Sequence, residues 1–199
     1  MALKNLTITT VILAGGLGTR IGGNKALKPL NSRPLISWVL EIVKPDSEIV
    51  LINANDLQDE YSDLDCKIIA DLLPDRPGPL AGLHAALNCM NTEFVLTVPC
   101  DTPFLPQNLI EKLANAQITH SADGVVAVVN GQKQPTIVLY HKSVLPKLLA
   151  FLGTGNRKVR DWLDCLQLSD VIFDNAHNFE NINSLEELAL AQQLLTDKE

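Results

Sequence analysis

The segment that decides the fold is Thr7-Ile-Thr-Thr-Val-Ile-Leu13, followed directly by Ala14-Gly-Gly-Leu-Gly-Thr-Arg-Ile-Gly-Gly-Asn-Lys25. Its first part is β-branched and apolar, which predicts a buried strand. Its second part holds five of the chain's 11 glycines, between Gly15 and Gly23. Glycines let backbone N–H groups surround an anion, and Arg20 and Lys25 add positive charge there. The pattern favours a phosphate-binding loop over a merely flexible turn.

This loop departs from the two commonest phosphate-binding motifs. A Walker A motif nearly fits Gly18 to Gly23, but Asn24 stands where the motif requires lysine. The dinucleotide-binding fingerprint has Gly16 and Gly18, but Ile21 replaces its third glycine. The loop therefore indicates phosphate binding of another class.

Strand and helix signals alternate along the chain. The predicted strands are Thr7–Leu13, Ser47–Ile52, Lys67–Ala70, Phe94–Val98, Gly124–Val129, Thr136–Tyr140 and Val171–Phe173, and the predicted helices are Pro34–Val43, Leu80–Met90, Pro106–Ala116, Ser143–Phe151, Lys158–Leu166 and a last one ending near Leu195. Asn130-Gly131 predicts a tight hairpin, and Ser184 with Glu187 predicts a capping box. We expect a three-layer α/β/α fold, whose mostly parallel sheet includes an antiparallel hairpin.

Composition limits the classes of protein that remain. With 199 residues, 46% of them hydrophobic and 20% charged, the chain predicts one globular domain over 1–199. Its apolar runs are too short for a membrane helix, no signal peptide is evident, and a net charge of −7 argues against nucleic-acid binding. The four cysteines lack any Cys-x-x-Cys spacing, which predicts reduced, mostly buried thiols in a cytoplasmic protein.

The charge is unevenly distributed. The first 40 residues contain no Asp or Glu and five bases, namely Lys4, Arg20, Lys25, Lys28 and Arg33. The remainder carries the other 11 bases and all 23 acids, a net charge of −12. An acid-free segment around the glycine loop fits a site for anionic substrates, because acids there would repel them.

Polar side chains end or follow three of the predicted strands. Asn53 offers a donor and an acceptor for a base or ribose, or is only a turn residue. Asp71 suits the donors of a guanine edge, or is a helix cap or an exposed acid. Asp101, between Pro99 and Pro103, suits Mg²⁺, or is only an Asx-turn residue. Parallel sheets bind ligands at this edge, so the three residues are site candidates.

Taken together, several motifs resemble those of the molybdenum cofactor guanylyltransferases, a Rossmann-like nucleotidyltransferase family. The matching segments are Leu13-Ala-Gly-Gly16 with Arg20-Ile-Gly-Gly23 and Lys25, Asn53-Ala-Asn55, Asp71, Pro77-Gly-Pro-Leu-Ala-Gly82, Pro99-Cys-Asp-Thr-Pro-Phe104, Gln134-Pro-Thr136 and Asn181-Ile-Asn183. The glycine loop is common to many nucleotidyltransferases, whereas the combination with the later motifs points to this family.

The resemblance implies an activity and its participants. GMP would pass from GTP to molybdopterin, with release of pyrophosphate and formation of molybdopterin guanine dinucleotide, in the cytoplasm and with Mg²⁺ as cofactor. About 1–105 would bind the nucleotide and about 106–199 the pterin acceptor. Molybdenum-insertion and molybdoenzyme-maturation proteins would be its partners, with neither nucleic acid nor membrane involved.

The resemblance also implies roles for particular residues. The nucleotide site would comprise Leu13, Ala14, Gly15, Lys25, Asn53, Asp71 and Asp101. The molybdopterin site would comprise Arg20, Gly22, Asn181 and Asn183. The catalytic residues would be Lys25, Asp101 and Arg20, with Asp101 binding the metal. The segment Gly153 to Arg160 is either a loop that touches the pterin phosphate or only the start of a helix.

Two other functions compete with this one. A related cytidylyltransferase or sugar-phosphate nucleotidyltransferase would use the same class of loop. A nucleotide-binding regulator without catalysis would lack the metal-binding acid or the phosphate-binding lysine. Because Asp101 and Lys25 are both present, the sequence favours an enzyme.

Overall fold

The computed structural model describes residues 6–15, 21, 23–56, 58–73, 78–119 and 122–196. The strands are β1 (Ile8–Leu13), β2 (Pro29–Leu30), β3 (Arg33–Pro34), β4 (Ile49–Asn53), β5 (Lys67–Ile69), β6 (Phe94–Pro99), β7 (Gly124–Val129), β8 (Gln132–His141) and β9 (Leu168–Phe173). The helices are α1 (Leu35–Val43), α2 (Pro79–Cys89), α3 (Leu109–Thr119), α4 (Leu145–Gly153), α5 (Val159–Asp164) and α6 (Leu185–Thr196). Short 3-10 helices are Lys25–Leu27, Lys44–Asp46, Gln58–Leu64, Lys142–Val144 and Ala176–Phe179.

Seven of these strands form one sheet in the order β5-β4-β1-β6-β8-β7-β9. Parallel pairing joins β5, β4, β1 and β6, and it also joins β7 to β9. Strand β8 pairs antiparallel with both β6 and β7, so it alone of the seven runs against the others. The expected α/β fold, a mostly parallel sheet with an antiparallel hairpin, is confirmed.

The order of the strands reverses at β1 and β6. From β1 the chain moves outward to β4 and β5 and then returns to β6 on the other side of β1. Ligands of open parallel sheets bind where the strand order reverses in this way, beyond the carboxyl ends of the strands. The site is therefore expected just after Leu13 and Pro99.

Two apolar clusters cover the two faces of the sheet. Alternate residues of β1 point to opposite faces, with Ile8 and Ile12 in one cluster and Val11 in the other. The first cluster contains the apolar sides of α1 and α3, and the second contains those of α2, α4 and α5. A third, smaller cluster joins Ile21, Leu30, Leu35, Ile182 and Ala191. It packs α6 and the segment before it against the segment that follows the glycine loop.

Two hairpins are closed by left-handed turn residues. At Asn130-Gly131, φ is 49° and 71°, and the turn joins β7 to β8 as the sequence predicts. The hairpin of β2 and β3 was missed, because Asn31 and Ser32 adopt φ of 49° and 62° without a glycine. The indole N–H of Trp38 donates to the carbonyl of Leu30 at 3.1 Å, which helps to hold this hairpin against α1.

Other boundaries differ from the predicted ones for local reasons. Helix α3 begins at Leu109 rather than Pro106, because the N–H of Leu109 closes a turn on the carbonyl of Pro106 at 3.0 Å. Strand β9 begins at Leu168 rather than Val171, because it pairs with the whole of β7. The capping box of α6 is confirmed: Glu187 N–H donates to Ser184 Oγ, and Ser184 N–H donates to Glu187 Oε2.

The prediction that the cysteines are mostly buried is wrong for half of them. All four are free thiols, but Cys89 and Cys165 are exposed and Cys66 is half-buried. Cys89 is the last residue of α2 and Cys165 follows α5, where helix ends reach the surface. Within the described ranges, no helix combines the length and the apolar character that crossing a bilayer requires.

Asp123 ties together the ends of three neighbouring strands. Its carboxylate accepts from Lys147 Nζ at 2.8 Å on each oxygen and from the Gln167 N–H at 3.0 Å. Its backbone N–H donates to Gln167 O, and its carbonyl accepts from the His141 N–H. Burial alone would raise the pKa of Asp123, but the hydrogen bonds from Lys147 and Gln167 outweigh burial and lower the pKa.

Asp123→Asn should therefore lower the free energy of unfolding at pH 7 by on the order of 1 kcal/mol, because a charge-assisted bond is weakened. A carboxyl whose folded-state pKa is lowered stabilises the fold above its unfolded pKa of about 3.9, and this contribution is lost as the pH falls below that value. Urea unfolding of both proteins at pH 7 and near pH 3 measures this, and the difference should shrink at the lower pH. A difference that is the same at both pH values would contradict the assignment.

Candidate functional site

The predicted site residues meet at one edge of the sheet. Leu13 and Asn53 are paired across β1 and β4, and Leu13 pairs on its other side with Pro99 of β6. Beyond these strand ends, the Ala14 N–H donates to Asn53 O at 2.9 Å and the Cys100 N–H donates to Leu13 O at 3.3 Å. These bonds fix where the glycine loop and the Asp101 turn leave the sheet.

Lys25 is oriented by the residue before it. Asn24 has φ 38° and ψ 56°, the left-handed conformation that asparagine tolerates, and the 3-10 helix Lys25–Leu27 follows at once. The Asn24 amide donates to Glu60 Oε2 at 2.7 Å and accepts from the Tyr61 hydroxyl at 3.2 Å. Burial, with smaller contributions from nearby acidic groups, raises the pKa of Tyr61 to about 12, so its hydroxyl stays a donor.

An ion pair joins Lys25 to Asp101. Lys25 Nζ donates to Asp101 Oδ2 and also to Asn183 Oδ1, the latter at 2.6 Å. The side chains of Lys25 and Asp101 are only 14% and 13% exposed. Three segments that are far apart in sequence thus converge on one ammonium group: the end of the glycine loop, the turn after β6 and the segment before α6.

The segment before α6 is clamped onto the Asp101 turn. The Ile182 N–H donates to the Asp101 carbonyl at 2.9 Å, and the Thr102 hydroxyl donates to Asn181 Oδ1 at 2.7 Å. Thr102 is fully buried and Ile182 nearly so. Because the two residues before Asn183 are held in this clamp, the amide oxygen of Asn183 lies against Lys25.

Asp101 has the character of a metal ligand. Its Oδ1 is buried and has no hydrogen-bond partner among the described residues, whereas its Oδ2 accepts from Lys25. Burying a carboxylate oxygen without a hydrogen-bond partner costs folding free energy unless a ligand binds that oxygen. Mg²⁺ prefers carboxylate oxygens among its protein ligands. The donor set therefore fits a divalent cation that takes its remaining ligands from phosphate and water. In the described part of the chain, no three acidic, histidine or cysteine residues cluster as a complete metal site.

A second polar cluster surrounds Asp71. Asn53 Nδ2 donates to Asp71 Oδ1 at 2.9 Å, and Asn55 Nδ2 donates to Asp71 Oδ2 at 2.7 Å. The Asp71 N–H donates in turn to Asn55 Oδ1 at 2.8 Å. Asp71 is followed by a bend rather than a helix and is half-buried rather than exposed, and Asn53 is a buried residue of β4 rather than a turn residue.

Helix α2 needs Gly82 where it passes this cluster. A Cβ at position 82 would lie 2.5 Å from both Asn53 Oδ1 and Leu13 Cδ2. Gly15 leaves more room, since a Cβ there would lie 3.4 Å from Asn55 Nδ2. The close approach at Gly82 is what lets Asn53 occupy the space between α2 and the strand ends.

Cys100 lies beside Asp101 and is buried. Burial, followed by the negative charge of Asp101, raises the pKa of the Cys100 thiol to about 12. The group is therefore neutral near pH 7, where a nucleophilic cysteine has to be a thiolate.

Some predicted site residues lie elsewhere or are not described. Arg20 and Gly22, expected at the molybdopterin site, lie outside the described residues, as does Lys4. In the segment Gly153 to Arg160, the Arg157 guanidinium donates to the carbonyls of Leu152 and Asn156 at 2.7 and 2.8 Å. That segment is thus a folded connection from α4 to α5.

Sequence reasoning missed three contributors to the site. The sequence patterns assign no role to Thr102, Asn55 or Glu60, although Thr102 and Asn55 lie in segments that resemble the family. Asn55 follows Ala54 just beyond the end of a predicted strand, and this position is the signal that could have marked it as a site residue. Glu60 and Thr102 carry no such signal, because their partners Asn24 and Asn181 are 36 and 79 residues away.

Gly82→Ala should displace Asn53 or Leu13 and destabilise the protein by about 1–3 kcal/mol, as overpacking of a filled site does. Gly153→Ala is the matched control, since a Cβ at position 153 would meet nothing within 4 Å. Urea unfolding at pH 7 measures both variants, and Gly153→Ala should be neutral or slightly stabilising. Equal stability of the Gly82 variant and the unaltered protein would contradict the close approach.

Comparison with known sequences confirms the resemblance. Residues 10–171 match the MobA-like NTP transferase domain. A molybdenum cofactor guanylyltransferase of Shewanella putrefaciens is 41% identical over 184 residues, which is 92% of this chain and 94% of the relative. The enzyme of the same name from Vibrio parahaemolyticus is 43% identical over 186 residues, with coverage of 92% and 94%.

Comparison with solved structures agrees with the fold. The molybdopterin-guanine dinucleotide biosynthesis protein A of Archaeoglobus fulgidus superimposes with a TM-score of 0.77 over 95% of this chain and 99% of that protein, at 24% identity. At that identity the superposition supports the fold alone, whereas the matched domain and the sequence relatives settle the family. The chain belongs to the MobA-like NTP transferase family, in which its relatives are molybdenum cofactor guanylyltransferases.

Proposed function

We propose that this protein transfers GMP from GTP to molybdopterin, releasing pyrophosphate and forming molybdopterin guanine dinucleotide. The observation that carries the proposal is the ion pair of Lys25 and Asp101, which joins the end of the glycine loop after β1 to the turn after β6, where the strand order reverses. A cation and a carboxylate at this place suit a triphosphate and its metal ion. The names of the sequence relatives support the choice of substrates.

The nucleotide would lie along the ends of β1, β4 and β6. Leu13, Ala14 and Gly15 would contact it through the backbone, and Asn53 and Asp71 would face the nucleoside and favour guanine. Lys25 would neutralise the phosphates. The Asn53–Asp71 hydrogen bond supports this, since it holds the Asp71 carboxylate beside the end of the strand.

Molybdopterin would lie against Arg20, Gly22, Asn181 and Asn183. Asn183 contacts Lys25 directly, so the acceptor and the triphosphate would meet at the same ammonium group. In this proposal about 1–105 bind the nucleotide and about 106–199 the pterin, with Asn181 and Asn183 contributed by the second part.

Mg²⁺ would be held by Asp101. The buried, partnerless Oδ1 supports this assignment, and phosphate oxygens would supply further ligands. When bound, the ion neutralises negative charge on the phosphates during transfer. Lys25 adds charge to the same region, and Asn183 and Thr102 keep the lysine and the Asp101 turn in place.

The reaction requires positioning and charge neutralisation rather than a covalent enzyme intermediate. The terminal phosphate of molybdopterin would attack the α-phosphorus of GTP, forming one P–O bond while the bond to pyrophosphate breaks. The raised pKa of the Cys100 thiol supports direct transfer. A neutral thiol is a poor nucleophile, so Cys100 beside Asp101 is not expected to attack the nucleotide. Arg20 would add positive charge on the acceptor side.

The same proposal includes the cellular compartment and the partner proteins of the enzyme. The four free thiols support a cytoplasmic enzyme, because the cytoplasm keeps thiols reduced. A molybdenum-insertion protein and a molybdoenzyme-maturation protein would be its partners.

GTP with Mg²⁺ should raise the midpoint of thermal unfolding more than CTP with Mg²⁺ at equal concentration, because stabilisation grows with affinity for the folded state. Thermal-shift measurements over a range of concentrations of each nucleotide test this. An equal or larger shift with CTP would favour a cytidylyltransferase instead.

Asp101→Ala should lower the rate of pyrophosphate release by roughly a thousandfold, since it removes the proposed metal ligand. Lys25→Ala should lower the turnover number by about a hundredfold or more, because charge stabilisation of the transition state is lost. Asp164→Ala, at an exposed position on α5, is the control and should keep the original rate.

Pyrophosphate release with GTP, Mg²⁺ and molybdopterin measures these three variants, with circular dichroism to establish that each is folded. A folded Asp101→Ala protein that releases pyrophosphate at the original rate would exclude the metal assignment. No release by the unaltered protein with either GTP or CTP would favour a regulator without catalysis.

A further inference from the structure

Asn55 holds Asp71 in a closed ring of two hydrogen bonds. Its amide Nδ2 donates to Asp71 Oδ2 at 2.7 Å, and its Oδ1 accepts from the Asp71 N–H at 2.8 Å. One side chain therefore contacts both the backbone and the carboxylate of the same residue. Asn53 completes the arrangement by donating to the other carboxylate oxygen at 2.9 Å.

This arrangement restricts a rotation that is otherwise soft. The terminal torsion of aspartate is broad, so a carboxylate bound by one donor can still turn about its Cβ–Cγ bond. Donors on both oxygens, from Asn53 and from Asn55, define the plane of the Asp71 carboxylate. Asn53 is buried and Asn55 is half-buried, so neither amide is free to follow a turning carboxylate.

The carboxylate keeps its capacity to accept further bonds. An ionised carboxylate has about four acceptor positions, and the two amides occupy one on each oxygen. Both donors are neutral amides, so neither cancels the negative charge of Asp71. Asp101 differs in this respect, because its charge is paired with that of Lys25. Among the described residues, no other donor bonds to the Asp71 carboxylate, so one acceptor position on each oxygen is open to a ligand.

Such a fixed pair of acceptors distinguishes the bases. The Watson–Crick edge of guanine presents two adjacent donors, N1–H and N2–H, which match two carboxylate oxygens. The edges of adenine and cytosine place a donor beside an acceptor nitrogen, which a carboxylate repels. The match depends on the plane of the carboxylate, because a rotated group presents one oxygen rather than two.

We propose that Asn55 is a positioning residue for base selectivity: by fixing the plane of the Asp71 carboxylate, it makes that group select guanine over adenine. The inference rests on the proposed function, in which Asp71 faces the nucleoside of GTP. It assigns to Asn55 an effect on which nucleotide binds, whereas the chemical step belongs to Lys25 and Asp101.

Binding of GTP and of ATP, each with Mg²⁺, is measured by isothermal titration calorimetry for the unaltered protein, Asn55→Ala and Asn55→Asp. Asn55→Ala removes both bonds, and we expect the affinity for GTP to fall about tenfold while that for ATP changes less than about threefold. Asn55→Asp keeps the shape of the side chain but replaces the donor Nδ2 by an oxygen that faces Asp71 Oδ2. The ratio of the affinity for GTP to that for ATP should fall at least as far as in Asn55→Ala. The turnover number at saturating GTP should stay unchanged while KM rises.

Asn88→Ala is the matched control, since it makes the same chemical change at an exposed position of α2. Circular dichroism establishes that each variant is folded, and the nearly isosteric Asn55→Asp serves if Asn55→Ala is not. If the unaltered protein prefers GTP and the folded Asn55 variants keep the same ratio of affinities, the inference is overturned and the proposed function stands. If the unaltered protein binds GTP no better than ATP, the guanine assignment of Asp71 falls, and the role of Asn55 with it.

Discussion

The ion pair between Lys25 and Asp101 is the interaction on which the site depends. It joins the segment after β1 to the turn after β6, and Asn183 adds the segment before α6 to the same ammonium group. Two largely buried charges lose much of their hydration, so each is stable there only while the other is present. The uncharged amide of Asn183 supplies the ammonium with a further acceptor without cancelling its charge.

The sheet explains why these groups meet at all. Parallel strands place the residues that follow them at one edge, and the strand order reverses between β1 and β6, which is where such sheets bind their ligands. The antiparallel strand β8 continues the sheet beyond β6 and begins at that same edge, where the Asn130-Gly131 turn joins it to β7. The third apolar cluster then packs α6 against the segment beyond the glycine loop, which brings Asn181 and Asn183 to the Asp101 turn.

Much of the fold and part of the site are readable from the sequence. The buried strands, the Asn130-Gly131 hairpin and the capping box of α6 depend on residues close together in the chain, and local patterns predict them. The placement of Lys25, Asn53, Asp71 and Asp101 follows from the rule that parallel strands share an edge.

What the sequence conceals are contacts that only the folded chain makes. Nothing in the motif around Asp101 shows that Lys25 is its partner, since 76 residues separate them. The hairpin at Asn31 and Ser32 lacks the glycine that would mark it. The hydrogen bonds on Asp71 join the residues at the end of β4 to a residue just after β5. The alternation of strand and helix signals along the sequence does not predict which of these side chains meet.

The contact between Lys25 and Asn183 spans 158 residues and sets an order of events during synthesis. The strands β1, β4, β5 and β6 all precede residue 100, so they leave the ribosome before the segment that contains Asn183. The ammonium group of Lys25 acquires its amide partner only after residue 183 has left the ribosomal tunnel. A nascent chain therefore cannot complete the site, and guanine nucleotide held by such a chain would be bound without its acceptor side in place.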